Sequence, residues 1–287
     1  MSLNVTVVNA CQRAGGGGSP TAVVDETSLT DADRCAVPVA VGTSHVAFIS
    51  TEEHASGNHP SVSLRFFTET GELPACGHGT VAALAVLARR AGTRQYEAVL
   101  RSGGRTFLGR ADGGADRYTA VFDPGPVELR TPPTADYEPI LSALGIDMRE
   151  ASARCRIASV GRQRMLVQVS DRTVLADLAP DMIRLREACD RRDLLGCFVY
   201  TTPSRDGRAA ARMFAPSIGV PEDIANANST ACLAAHLAGR GFSALDVDMG
   251  DSLGVPSTIA ATTRPGPEGP LVRVGGVATI TTDISLV

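Results

Sequence analysis

The 287-residue chain contains no lysine. Its 27 basic residues are all arginine, which excludes a Schiff-base lysine and a lysine-anchored cofactor. Tryptophan is also absent and aromatic residues make up only 4%, leaving little to stack against nucleobases. There is no run of basic residues and the net charge is −4, so neither a nucleic acid nor an anionic membrane is expected as a partner. No apolar stretch reaches the ~18 residues that a bilayer crossing takes. The opening Met-Ser-Leu-Asn-Val has no basic segment leading into a long apolar one, so no secretory signal is expected. The seven cysteines are odd in number and include no Cys-x-x-Cys spacing, which fits thiols in a reducing cytoplasm and argues against a metal site. His54 and His59 only flank a polar loop. Gly15-Gly16-Gly17-Gly18 is followed by strand-like Ser19-Pro20-Thr21-Ala22-Val23-Val24 and not by a helix, so a dinucleotide-binding turn is excluded.

With 44% hydrophobic residues, a chain of this length buries a sizeable core and suits two lobes. Most of it reads as short alternating strands bounded by Gly, Pro and Asp, as at 3–8, 21–24, 46–50, 63–67, 118–122, 165–169 and 271–274. Residues 80–88 (TVAALAVLA) and 230–238 (TACLAAHLA) differ, being apolar on nearly every face and rich in alanine, the pattern of a buried helix. Their approaches match. Arg65-Phe66-Phe67 leads through Gly71 and Pro74 to the first; Arg212-Met213-Phe214 leads through Gly219 and Pro221 to the second. This order of features, repeated half a chain apart, predicts a duplicated α+β fold of two pseudo-symmetric lobes, each a curled sheet around a central helix. Pro-rich breaks at 123–133 and 264–270 place the lobes at 1–124, joined by about 271–287, and at 125–270.

A buried helix leaves unpaired amides at its N-terminus, and its dipole favours an anion there. Two such ends on one cleft suit a carboxylate. At the first, Cys76-Gly77-His78-Gly79 offers a thiol that can act as a base, an imidazole donor, and glycines that let a ligand approach the backbone. At the second, Asn226, Ala227, Asn228 and Ser229 either cap the helix or bind a ligand. Asp223 stands just before them, where a carboxylate needs a partner such as a substrate amine or His78. Glu222 reads as solvent-facing, Arg162 and Arg164 as solvating a turn, and Cys232 and His236 as packing groups. His45, beside Ser44 where a loop enters a strand, is by itself an ordinary loop histidine.

At these residues the chain resembles the PhzF-like family, named for the phenazine-pathway isomerase, which shares the diaminopimelate-epimerase fold. The likeness covers Ser19–Val24, Arg65–Thr68 with Glu72, Cys76–Thr80, Gly161 before 165–169, Arg212–Asp223, and 250–257. It implies two lobes with the site between them, a homodimer, and no metal or organic cofactor. It implies that His78 and Asp223 orient the substrate. The family's proton-moving Glu falls on His45, which makes His45 the expected acid/base. The family's anion loop is altered to Glu222-Asp223-Ile224-Ala225-Asn226-Ala227-Asn228. In epimerases of this fold two cysteines face each other; Cys76 matches the first, but Cys232 lies deeper in its helix.

These features lead to an expected cofactor-independent cytoplasmic isomerase acting on a small unsaturated amino or imino carboxylic acid. His45, His78 and Asp223 would act on it, with Ser44, Cys76, Gly77, Gly79, Asn226, Ala227 and Asn228 as substrate contacts. The lysine-free composition suggests a GC-rich gene and actinomycete secondary metabolism, for example a pyrroline carboxylate on the way to 4-alkylated proline. The alternatives are a racemase using Cys76 and a non-catalytic carboxylate-binding protein.

Overall fold

The computed structural model describes residues 2–52, 59–148 and 155–286, and the chain divides into two compact units. Unit 1 comprises residues 1–123 and 273–287, and unit 2 residues 124–272. Among the described residues, no helix is long and apolar enough to cross a membrane.

Unit 1 runs through β1 (Leu3–Gln12), β2 (Ser19–Asp25), α1 (Asp31–Val41), β3 (His45–Glu52), β4 (Ser61–Thr68), β5 (Gly71–Leu73), α2 (Gly77–Ala91), β6 (Gln95–Ser102), β7 (Arg105–Gly114) and β8 (Arg117–Phe122). The last strand of the chain, Leu271–Leu286, pairs with both β8 and β1. The order β1-β2-β3-β4-β6-β7-β8 is thereby closed into a ring, with parallel pairings only at β2–β3 and β4–β6. Inside it lies α2, which packs against β1, β2, β3, β6, β7 and β8. Residues 77–88 of α2 are all buried, which is why its sequence carries no polar stripe. Each fully buried Val or Leu in it contributes roughly 1.5–3 kcal/mol, and a charge there would have no solvent face. Cys76 caps its start and Gly92, in the left-handed conformation, ends it. On the other side of β1–β4, Val37 of α1 packs with Val5, Ala22, Val24, Val46, Phe48 and Phe67.

Unit 2 comprises β9 (Glu128–Arg130), α3 (Thr134–Leu144), β10 (Cys155–Val160), β11 (Arg162–Val169), α4 (Arg172–Ala176), α5 (Met182–Asp190), β12 (Leu194–Thr201), β13 (Arg208–Ala215), β14 (Val220–Asp223), α6 (Ala227–Ala238), β15 (Ala244–Met249) and β16 (Ser257–Arg264). Its pairing order β10-β11-β12-β13-β15-β16 alternates antiparallel and parallel as β1-β2-β3-β4-β6-β7 does. The buried helix again follows a short hairpin strand. α3 and α5 cover the far side of this sheet through Ile140, Leu141, Leu144, Leu185 and Cys189. The sheet-and-central-helix fold is the one expected. The helices α1, α3 and α5 were not. α1 and α3 each contain a proline, Pro38 and Pro139. A capping box at Thr30 and Asp33 gives α1 a start strong enough to outweigh that cost.

Candidate active site

In unit 1 the strand β3 begins at His45, opposite Thr21 of β2. The loop before it is pinned: Ser44 Oγ donates to the Pro20 carbonyl at 3.5 Å and Thr43 Oγ1 to the His45 carbonyl at 3.1 Å. Ser44 Oγ also lies 2.8 Å from His45 Nδ1, which fixes the imidazole. The ring of His45 meets that of His78 edge-on, with centroids 4.4 Å apart and planes at 82°. Burial, and secondarily the neighbouring His78, push the pKa of His45 down to about 2, so the imidazole is neutral.

His78 and Cys76 are delivered by the first turn of α2, and both are buried. Cys76 is the N-cap residue: its Sγ accepts from the Gly79 N–H at 3.4 Å and lies 3.3 Å from His78 Nε2. The Gly79 amide is therefore already engaged by a sulfur. Gly79 is small for a packing reason, since a Cβ would sit 2.9 Å from the Phe66 ring and 3.0 Å from Cys76 Sγ. The first turn of α2 carries no acidic residue to neutralise its dipole. The ligand atoms of His45, Cys76 and His78 all lie within 4.8 Å of one another. Thus Ser44, His45, Cys76, Gly77, His78 and Gly79 form one cluster. His59 does not join it and stands 3.6 Å from Glu97. His54 lies outside the described residues.

In unit 2, Asp223 ends β14 and organises the turn into α6. Its Oδ1 accepts from the Ala225 N–H at 3.2 Å and its Oδ2 from Asn226 Nδ2 at 2.9 Å. Asn226 is the N-cap, its Oδ1 accepting from the Ser229 N–H at 2.8 Å. Asn228 and Ser229 are therefore not caps; with Ala227 they form the first turn. Two charged residues expected at the surface, Glu222 and Arg164, have buried side chains. Glu222 does not face solvent: it forms a two-pronged pair with Arg212 at 2.8 and 3.0 Å, with both side chains largely buried. Nor does Arg164 solvate a turn. It is 2% exposed and donates to Ser229 Oγ at 3.2 Å and to the Arg162 carbonyl at 2.7 Å. Its Nε has no hydrogen-bond partner, and no carboxylate among the described residues pairs with it. The signal that could have revealed it is its place at the head of the apolar run Met165-Leu166-Val167, where β11 becomes buried on both faces. Cys232 is fully buried, as a packing group should be.

A sheet curled around a buried helix, occurring twice, defines the diaminopimelate-epimerase class of fold. Solved structures bear this out over the full chain. An epimerase from Pseudomonas aeruginosa, described as predicted, superimposes with a TM-score of 0.81 at 23% identity, covering 100% of this chain and 99% of the other. A PhzF-family phenazine biosynthesis protein from Bacillus anthracis gives 0.82 at 16% identity with the same coverage. A hydroxyproline epimerase from Agrobacterium vitis gives 0.63 at 10% identity, covering 99% of this chain and 92% of the other.

The chain belongs to the phenazine biosynthesis-like (PhzC-PhzF) family, whose model matches residues 8–283. Among its relatives is an uncharacterized isomerase of Clostridium acetobutylicum, 25% identical over 277 residues, 92% of this chain and 91% of that one. Another, from Deinococcus radiodurans, is 30% identical over 234 residues, 76% of this chain and 74% of that one. Like them, the protein is of the isomerase class.

Proposed function

We propose that the protein moves a proton, and with it a double bond, within a small unsaturated amino or imino carboxylic acid, without a cofactor. The observation that carries this reading is the neutral imidazole of His45 set edge-on to His78 and beside Cys76. A neutral imidazole has the lone pair needed to take a proton from carbon and, once charged, can return it to another. With Nδ1 bonded to Ser44, Nε2 is the nitrogen that remains for the transfer. A substrate carboxylate brought beside His45 supplies negative charge that stabilises the imidazolium, so the base strengthens when substrate binds.

The carboxylate class has support from unit 2. Arg164 is a buried cation with no acidic partner among the described residues, hydrogen-bonded to the first turn of α6. Desolvating a charge costs several kcal/mol, and an arriving carboxylate offsets that cost. In this reading His78 and Asp223 polarise and orient the substrate. The first-turn amides of Gly77, His78, Ala227 and Asn228, with Asn226, bind its oxygens; Asp223 and these contacts rest on the family resemblance. The narrower assignment is a pyrroline carboxylate in actinomycete secondary metabolism, handled by a cytoplasmic homodimer. The altered anion loop, the arginine-only composition and the seven thiols support it, and the Agrobacterium fold neighbour holds trans-4-hydroxy-L-proline.

Incubation with unsaturated pyrroline carboxylates in deuterium oxide tests the reading. Label at a vinylogous carbon, with movement of the double bond, is the expected result. Label only at the α-carbon with loss of configuration would instead support racemisation through Cys76, which the 3.3 Å contact of its Sγ with His78 favours as a second reading.

A further inference from the structure

We propose that His45, Cys76 and His78 also form a three-ligand site for a thiophilic divalent cation of the zinc class, which holds the enzyme inactive when bound. Two imidazoles and a thiolate are donors suited to zinc, copper and cobalt, and none is the carboxylate oxygen that calcium or magnesium requires. Three protein ligands with a fourth position open is the arrangement of zinc sites that accept water or another ligand.

The geometry is close to what such an ion needs. The three ligand atoms lie within 4.8 Å of one another. Any triangle with edges no longer than that has all its corners within about 2.8 Å of a common point, against bond lengths of roughly 2.0–2.3 Å to zinc. Side-chain shifts of under about 1 Å close that gap. One pair needs almost no adjustment: Cys76 Sγ and His78 Nε2 are 3.3 Å apart, and a tetrahedral ion with those bond lengths holds sulfur and nitrogen about 3.6 Å apart.

The supports of the cluster match those of known metal centres. Ser44 Oγ on His45 Nδ1 orients the ring from outside, as outer hydrogen-bond partners of metal-bound histidines do. Cys76 and His78 are carried two residues apart on the rigid first turn of a helix buried on every face. Cys76 and His78 are buried while His45 is only partly so, which leaves the histidine edge as the way in. On binding, the Cys76 S–H bond breaks, its proton passes to solvent and the sulfur pair forms the bond to the ion; no oxidation state changes. The consequence for turnover rests on the proposed role of His45. The lone pair that would accept a substrate proton is the one the metal takes, so the two uses exclude each other.

Titration of the full-length protein, freed of metal by a chelator, with Co²⁺ alone tests the site without any substrate. The expected result is one equivalent bound, with a thiolate-to-cobalt charge-transfer band and the visible bands of a four-coordinate ion. Cys76→Ser, which retains a competent helix cap, should abolish the charge-transfer band. His45→Asn should weaken Zn²⁺ binding at least 100-fold, and Ser44→Ala should weaken it by about 10–100-fold. Absence of the band, or a band that survives Cys76→Ser and disappears with substitution of the partly exposed Cys35, overturns the site. Because binding is read optically, an isomerase that never binds metal and a metal-binding protein that never isomerises give different results. If both activities exist, one equivalent of Zn²⁺ should halt deuterium exchange and a chelator should restore it; exchange unaffected by bound Zn²⁺ overturns the inactivation.

Discussion

In unit 1 the fork that clamps the hairpin ahead of the central helix, Arg65–Glu72, is half-exposed; in unit 2 the equivalent fork, Arg212–Glu222, is buried. Both arginines lie over a phenylalanine two residues on, at 4.9 Å from Phe67 and 4.8 Å from Phe214. The clamp and the strand order are the same, yet the helix starts they lead to differ. α2 begins with a thiol and an imidazole beside a second imidazole; α6 begins with amides beside a buried guanidinium. The repeated frame keeps its packing while the side chains at the two helix starts diverge: a thiol and two imidazoles in unit 1, and in unit 2 amides and the Asp223 carboxylate beside a buried guanidinium.

Breaking the two forks should show the widest contrast. Glu222→Gln leaves a desolvated arginine and should cost about 3 kcal/mol in urea unfolding, whereas Glu72→Gln should cost no more than about 1 kcal/mol. Equal losses would mean that the forks do not differ in kind. Arg164→Gln should weaken binding of pyrrole-2-carboxylate, a planar probe, by about 10–100-fold in calorimetry, while Arg65→Gln in the half-exposed fork changes it little.

Acid should destabilise through His45 in unit 1 and His236 in unit 2, both depressed by burial. Burial lowers the pKa of His45 to about 2 and of His236 to about 4, against 6.5 in the unfolded chain. The folded protein therefore binds fewer protons than the unfolded chain, and stability is lost as pH falls below 6.5, down to about 2 for His45 and about 4 for His236. Each group removes about 2 kcal/mol by pH 5. Unfolding curves from pH 7 to 5 should be flatter by that amount in His45→Gln and in His236→Gln. The smallest effect concerns the caps. Asn226→Ala should cost about 1 kcal/mol, whereas Cys76→Ser should be near neutral because serine caps well.

Much of this was written in local sequence. Residues 80–88 and 230–238 announce buried helices because no face of them is polar, and the alternating strands around them follow from period-two patterning. The helices α1 and α3 were hidden by Pro38 and Pro139, residues that local propensity counts against a helix but that the capping box overrides in α1 and core packing in α3. The cluster of His45 with Cys76 and His78 depends on strand pairing: the β2–β3–β4 register carries His45 to the start of α2, and no local rule predicts a contact over that separation. Arg164 and Glu222 escaped for a related reason. A charged residue reads as exposed until the sheet that buries it is known.

The most direct trial of the account compares two variants of unit 1 under one assay, deuterium exchange into an unsaturated pyrroline carboxylate. His45→Ala should lose about a thousandfold in rate, within the range ascribed to a positioned acid/base, while Cys76→Ser keeps most of it. The reverse pattern, with exchange surviving without the imidazole and vanishing without the thiol, would contradict it.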